Sequence, residues 1–155
     1  MFEKILVAVD GSEHSMRALE TAMAIAKKFK GKITLINVYS VAVRPIIMPE
    51  PTTLTPPGVP VITPEEVTKA ADAAKAAADK ILKEAAEKAE TEHTHVETLL
   101  AEGYAPQEIT RTAKAGNFNL IVIGARGTSR LKEIFVGSVC DAVLRESPVP
   151  VLLVK

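Results

Sequence analysis

The chain of 155 residues has one cysteine, no tryptophan and an aromatic content of only 4%. A single cysteine excludes an intramolecular disulfide and is typical of a reducing compartment, so we expect a cytoplasmic protein. The scarcity of aromatic side chains argues against a surface that stacks single-stranded nucleic acid. Lys plus Arg and Asp plus Glu each number 19, which leaves no net charge. Because nucleic-acid proteins usually carry a basic surplus, we expect no nucleic-acid partner.

Long hydrophobic runs are missing as well. No apolar run approaches the roughly 20 residues that cross a bilayer, and the N-terminus has the pattern of a strand rather than of a signal peptide. Hydrophobic residues make up 47% of the chain and charged residues 25%, an ordinary balance for a globular protein. We therefore expect one domain over residues 1–155, with no membrane partner.

Short apolar runs alternate with helical patterns along the chain. The apolar runs, at residues 4–9, 32–40, 95–103, 119–124 and 149–154, predict five strands. Apolar residues at helical spacing predict a helix in each of the four intervals. This alternation predicts an α/β fold, a three-layer α/β/α sandwich with a parallel sheet and right-handed crossovers.

Local signals predict where the first two helices begin and end. Ser12 is suited to cap the first helix and Gly31 to follow its end as the C′ residue. Thr63 and Glu66 have the spacing of a capping box, which predicts a long second helix running to about Glu90. Its apolar face is predicted to comprise Val67, Ala70, Ala74, Ala77, Ile81, Leu82 and Ala85.

Residues 41 to about 62 have a different character, because six of the ten prolines fall there. Proline removes a hydrogen-bond donor and fixes φ, so this stretch is predicted to be an irregular insertion within the domain. It could cover the base end of a ligand site or dock a partner protein.

Glycines cluster where the fourth strand ends and the last helix begins. Ligands in parallel sheets bind beyond the carboxyl ends of the strands, where the strand order reverses. Gly124 ends the fourth strand, Gly127 lies in the following turn, and Gly137-Ser138 opens the last helix. Glycine allows positive φ and a close approach to the backbone, and unpaired N–H groups at a helix start attract phosphate. The segment is therefore predicted to cradle a polyphosphate.

Basic side chains lie between the glycines. Arg126 and Arg130 supply positive charge suited to phosphate, although they are equally compatible with solvated surface positions.

Other residues of this region also have structural interpretations. Taken singly, Gly124 could merely end a strand and Gly137 could be a helix-packing position. Asp10 could be only a turn residue. Cys140 is interpreted as a small core residue, although it lies near the start of the last predicted helix and a helix N-terminus can lower the pKa of a thiol. His14 is the imidazole nearest to the expected site.

The pattern Gly124-x2-Gly127-x9-Gly137-Ser138 resembles the nucleotide-binding signature of the universal stress protein family, in its ATP-binding branch. The resemblance covers essentially the whole chain, through "KILVAVDGSEHSMRALETAMAIAK", "ITLINVYS" and "GSVCDAVLRESPVPVLLVK". It implies a Rossmann-like sheet of the adenine nucleotide alpha hydrolase-like type, with strand order 3-2-1-4-5. It also implies a homodimer formed by antiparallel pairing of residues 150–154.

The resemblance also implies residue roles. Asp10 would face the nucleotide and hold Mg²⁺ or Mn²⁺ together with the phosphates, and Val38 would offer backbone contacts to adenine. Cys140 stands where Ser or Thr is frequent in the family, so a hydroxyl contact is lost there. The nucleotide-binding set implied is Ala8, Val9, Asp10, Val38, Gly124, Arg126, Gly127, Arg130, Gly137, Ser138 and Val139.

Three functions remain open from the sequence. The resemblance implies an ATP-binding dimeric signalling protein of the stress response, with slow or partner-dependent hydrolysis and no assigned catalytic residue. The second is an ATP-consuming enzyme, pyrophosphatase-like or adenylyltransferase-like, but "DGSEHS" after the first strand lacks the motifs of those enzymes. The third is a dimeric scaffold that binds no nucleotide, although members of that branch lack the glycine signature.

Overall fold

The computed structural model describes residues 1–40, 63–126 and 137–155. Five strands alternate with four helices in these ranges. In chain order they are β1 (Lys4–Ala8), α1 (Glu13–Phe29), β2 (Lys32–Tyr39), α2 (Pro64–Thr91), β3 (Val96–Glu102), α3 (Ala105–Ala115), β4 (Leu120–Gly124), α4 (Ser138–Glu146) and β5 (Val151–Val154). The predicted insertion at 41–62 lies outside the described residues.

The strands form one parallel sheet in the order β3-β2-β1-β4-β5, which confirms the predicted fold. The central strand β1 pairs with β2 on one side and with β4 on the other. The chain crosses outward from β1 in both directions, so the order reverses between β1 and β4. A crevice at the carboxyl ends of these strands follows from that topology.

Alternating side chains of the sheet bury into two helical layers. Ile5 and Val7 of β1 pack with α1 and α2, whereas Leu6 of the same strand packs with α3 and α4. All three side chains have no measurable exposure. A strand covered on both faces needs a continuous apolar run, which is the pattern that identified β1 in the sequence.

The ends of α1 match the sequence prediction at one terminus only. The Ser12 side chain accepts a hydrogen bond from the Ser15 amide, so the predicted N-cap is confirmed. At the other end Lys30, not Gly31, adopts the left-handed conformation, with φ of 55°. Gly31 has a different reason to be glycine, because a Cβ there would lie 2.3 Å from the carbonyl oxygen of Phe2.

The predicted face of α2 is wrong at Ala70 and Ala77 and is confirmed at Leu82 and Ala85. The capping box of Thr63 and Glu66 is present, but Ala70 and Ala77 are exposed, and the buried positions are Ala78, Leu82, Ala85 and Ala89. A helix of 28 residues is about 42 Å long, whereas the 8 residues of β2 span about 26 Å. The first turns of α2 therefore extend past the sheet. Neither α2 nor any other described helix is both long and apolar enough to cross a membrane.

Candidate functional site

A cavity of about 290 Å³ lies at the carboxyl ends of β1, β2 and β4. It opens where the strand order reverses, as the fold predicts. All the expected site residues that the structure describes contribute to its wall: Ala8, Val9, Asp10, Val38, Gly124, Arg126, Gly137, Ser138 and Val139. The other two expected residues, Gly127 and Arg130, lie outside the described residues.

The start of α4 forms one end of the cavity. Ser138, Val139 and Cys140 are the first three residues of the helix and all line the cavity. The first helical hydrogen bond is donated by the Asp141 amide to the Gly137 carbonyl, at 2.9 Å. The three preceding amides therefore have no intrahelical acceptor, and no side chain among the described residues caps them. Such a helix start attracts anions through its N–H groups and its dipole.

Gly137 differs from the residues that follow it. Its amide donates to the carbonyl oxygen of Ala125 at 2.8 Å, so this N–H group is already paired. Its φ of −59° is a value that any residue adopts. The expected amide contact of Gly137 with phosphate is thus not available in this conformation, and the amides of Ser138 and Val139 remain.

The turn between β1 and α1 contributes Asp10 to the cavity wall, beside the start of α4. The Asp10 carboxylate oxygen Oδ1 accepts a hydrogen bond from the Ser12 amide at 3.0 Å, and Gly11 between them has φ of 79°. The Ser12 hydroxyl donates to the carbonyl of Arg126 at 3.3 Å. These bonds tie the β1–α1 turn to the chain that leaves β4, and they orient Asp10 at the cavity.

Gly124 is required by packing against α1. A Cβ at this position would lie 2.7 Å from the carbonyl carbon of His14, a backbone atom that cannot rotate away. Gly124 is not among the residues with positive φ, so conformational freedom is not the reason for glycine here. His14 itself does not line the cavity, although its backbone sets the position of the wall.

The other end of the cavity is apolar and contains residues that the sequence did not indicate. Ile36 and Ile109 line it, together with Ala105 at the start of α3, whereas Ile123 lines the cavity from β4. No local pattern marks α3 as part of the site, since only the sheet order brings it there. Cys140 also lines the cavity and is buried. Burial, and secondarily the charge of Asp141, raises the pKa of the Cys140 thiol to about 11. The alternative of a thiol activated by the helix start is therefore wrong.

The main chain of Val38 faces the gap beyond β1. The Val9 amide donates to the Ile36 carbonyl, and the Gly103 amide donates to the Tyr39 carbonyl, both at 2.9 Å. Neighbouring residues of a strand direct their hydrogen bonds to opposite sides. The N–H and C=O of Val38 are therefore directed toward the β1 side, where β1 has ended at Ala8.

The described residues contain no group of three or more His, Cys, Asp or Glu side chains placed to hold a metal ion. Asp10 is a single carboxylate at the cavity. Mg²⁺ is usually held by one or two carboxylates together with substrate phosphates. Asp10 therefore fits a divalent ion that arrives with a phosphorylated ligand, and does not form a metal site alone.

A parallel α/β sandwich with an uncapped helix start where its strand order reverses is typical of a class of ligand-binding folds. Comparison with known proteins assigns the family. The match to "Usp: Universal stress protein family" covers residues 1–155. The chain belongs to the universal stress protein family.

Individual relatives agree with this assignment. The chain is 36% identical over 155 residues to universal stress protein YxiE of Bacillus subtilis, covering 100% of both chains. It matches the solved structure of universal stress protein UspA from Lactobacillus plantarum with a TM-score of 0.79, at 23% identity and covering 99% and 98% of the two chains. A solved structure of a universal stress protein in complex with cAMP has a TM-score of 0.66 at 26% identity, with coverage of 99% and 97%.

Proposed function

We propose that this protein binds ATP in the cavity and acts as a dimeric signalling protein of the stress response in the cytoplasm. The observation that carries the proposal is the convergence of strand ends and an uncapped helix start on one cavity of about 290 Å³. That volume is near the lower end of the usual range for small-molecule sites. The related universal stress protein in complex with cAMP supports an adenine nucleotide as the ligand class.

The two ends of the cavity suit the two ends of a nucleotide. The apolar end, with Ile36 and Ile109, suits a base, and the main chain of Val38 offers one donor and one acceptor beside it. The start of α4 at Ser138 and Val139 suits the phosphates, because its amides and dipole favour negative charge. Arg126 adds a guanidinium group at the same edge of the sheet.

Asp10 would hold Mg²⁺ or Mn²⁺ together with the phosphates. The ion would neutralise part of the phosphate charge. One lone pair of Asp10 Oδ1 is used by the Ser12 amide, and this bond fixes the orientation of the carboxylate. The remaining lone pairs can accept a hydrogen bond from a metal-bound water or coordinate the ion directly.

Hydrolysis is proposed to be slow or to need a partner. Fast phosphoryl transfer relies on a lysine at the phosphates, carboxylates on the metal and a residue that orients water. Among the described cavity residues, the charged side chains are only Asp10 and Arg126. A turnover assay with Mg²⁺ and ATP tests this point. Multiple rapid turnovers by the purified protein would favour the alternative of an ATP-consuming enzyme.

The decisive experiment for binding is to denature the purified protein and identify any released nucleotide by mass spectrometry. It is paired with calorimetric titration of nucleotide-free protein with ATP, ADP, AMP and cAMP in the presence of Mg²⁺. We expect released adenine nucleotide and saturable binding with one site per chain. Absence of both would contradict the proposal and favour a scaffold that binds no nucleotide.

A further inference from the structure

Asn37 in β2 is a buried polar residue with an unused hydrogen-bonding group. Its side chain is only 5% exposed. The amide nitrogen Nδ2 has no hydrogen-bond partner among the residues that the structure describes. A buried amide donor without an acceptor destabilises the fold, so such a group is uncommon in native proteins. Asn37 also belongs to the wall of the cavity, which supplies a candidate partner.

The cavity reaches the face of the sheet on which the Asn37 side chain lies. Side chains alternate along β2, and Leu35 packs with α1 and α2 whereas Ile36 packs with α3 and α4. Asn37 therefore lies on the α1–α2 face. Ser15 belongs to α1 and Val9 packs into the same layer, yet both line the cavity. The cavity thus passes over the end of β1 and is not confined to the α3–α4 face.

Asn37 lies at the base end of the proposed nucleotide site. It directly precedes Val38, whose main chain faces the same gap. It lies on the opposite side of β1 from β4 and the α4 helix start, where the phosphates are proposed to bind. A group at this end meets the base rather than the phosphates.

A carboxamide has chemistry that distinguishes one purine from the other. It presents a donor and an acceptor side by side, and this pair complements N7 and the N6 amino group of adenine. Guanine presents two acceptors, N7 and O6, on the same edge. One of them would be left facing the carboxamide oxygen, so an asparagine in this position favours adenine.

We propose that Asn37 reads the base: its Nδ2 donates to adenine N7 and its Oδ1 accepts from the N6 amino group, so that the site selects adenine over guanine. This inference rests on the proposed nucleotide-binding function. It adds a side-chain contact to the main-chain contacts of Val38. It also gives the orphaned Nδ2 atom the acceptor that it lacks among the described residues.

The first test changes only the ligand. Wild-type protein is titrated with ATP, with 7-deaza-ATP, in which a carbon replaces N7, and with GTP, all with Mg²⁺. Loss of one neutral hydrogen bond predicts roughly fivefold weaker binding of 7-deaza-ATP. The mismatched edge predicts at least about tenfold weaker binding of GTP. Equal dissociation constants for ATP and 7-deaza-ATP would overturn the proposal, and no variant needs to fold for that result to be obtained.

The second test locates the contact. In Asn37→Ala the preference for ATP over 7-deaza-ATP should disappear, because the group that meets N7 is gone. A residue with a purely structural role would weaken both ligands equally and leave their ratio unchanged. Asn119→Ala is the matched control, since it removes an exposed amide that accepts from the Lys4 amide at the other end of the sheet. Its ratio should equal that of the wild type.

The outcomes separate this inference from the proposed function. If the wild type binds none of the three nucleotides, the proposed function fails and the inference fails with it. If ATP binds but the ratio to 7-deaza-ATP is one, or is the same in Asn37→Ala as in the wild type, only the inference fails.

Discussion

The amide of Gly137 donates a hydrogen bond of 2.8 Å to the carbonyl oxygen of Ala125. This bond joins the residue that opens α4 to the residue that follows β4. The start of the helix is thereby held at the edge of the sheet, although 11 residue positions separate the two partners in sequence. The Gly137 amide thus has a structural role, and the amides of Ser138 and Val139 are the ones left for a ligand.

The hydroxyl of Ser138 should contribute to nucleotide affinity without contributing to stability. Ser138 is exposed at the first turn of α4 and lines the cavity. In Ser138→Ala we expect ATP affinity to fall by about 1.5–3 kcal/mol, the range for a hydrogen bond to a charged group. Calorimetric titration measures the change. The thermal midpoint of the nucleotide-free protein should stay at the wild-type value.

Ser147→Ala is the matched control for that substitution. The Ser147 hydroxyl donates to the Val149 carbonyl at 2.6 Å and accepts from the Val149 amide, at the far end of α4. Its loss should lower the free energy of unfolding and leave ATP affinity unchanged. Equal ATP affinities for Ser138→Ala and the wild type would remove the hydroxyl from the site.

Gly124→Ala should destabilise the protein even when no ligand is present. The added Cβ would meet the backbone of His14 at 2.7 Å, and α1 would have to move away from β4. Forced overpacking of this kind typically costs about 1–3 kcal/mol. Urea unfolding of nucleotide-free protein measures the effect. A free energy of unfolding equal to that of the wild type would contradict a packing requirement for glycine at this position.

The Cys140 thiol should react slowly with alkylating agents until the solution is strongly alkaline. Burial is the main reason that its pKa is raised to about 11 from the ordinary value of 9.0. The native thiol therefore stays protonated at pH 9, where half of the thiol in an unfolded chain is thiolate. Alkylation rates of native and urea-unfolded protein, measured from pH 7 to 11, test the prediction. A native rate that levels off near pH 8 would contradict it.

The same shift predicts the direction of one contribution to stability. The native state holds the Cys140 proton more tightly than the unfolded chain does. Unfolding therefore releases a proton between pH 9 and about 11, and this contribution to the free energy of unfolding falls as the pH rises through that window. Cys140→Ala removes the contribution, so the difference between variant and wild type should change over this range and be constant below it.

The proposed dimer through β5 leads to a prediction that depends on the side of the strand to which each amide is directed. Pro150 and Val154 direct their carbonyl groups toward β4, where they accept hydrogen bonds from the amides of Ile121 and Ala125. Alternate residues of a strand direct their main-chain groups to the same side, so the main chain of Leu152 also faces β4. Leu153, by alternation, directs its amide to the open edge. In Leu153→Pro we expect a folded monomer, because proline there removes only an outward donor.

Leu152→Pro is the matched variant, and it should lower the thermal midpoint because it removes an amide that faces β4. Sedimentation velocity at micromolar protein and circular dichroism separate the two effects. An unchanged sedimentation coefficient for folded Leu153→Pro would exclude β5 as the dimer contact.

Local sequence signals predicted what depends on neighbouring residues. The run at β1 is apolar throughout because both of its faces are buried, and the capping box at Thr63 and Glu66 forms within one turn. Such features need no information from the rest of the chain. Predictions that required knowledge of distant neighbours failed. Ala70 lies in the part of α2 that extends past the sheet, and Ala77 is exposed beside the buried Ala78.

The site shows the same division. The expected residues of β1, β2, β4 and α4 that the structure describes all reach the cavity, because strand ends and helix starts can be read from local patterns. Ala105 and Ile109 of α3 could not be recognised, since nothing near them in sequence marks a ligand site. In the sequence Asn37 is a single polar residue in a strand. Only its burial, with no partner for Nδ2 in the part of the chain that the structure describes, makes it a candidate.

The sequence by itself determined the alternation of strands and helices, the places where helices begin, and the membership of the chain in its family. Only the tertiary structure decided which glycine is required by packing, which amides remain for a ligand, and how far the cavity extends across the end of β1. The physical reason is that hydrophobic periodicity and capping act over a few residues. Close approaches such as that of Gly124 to His14 arise only when distant segments share one core.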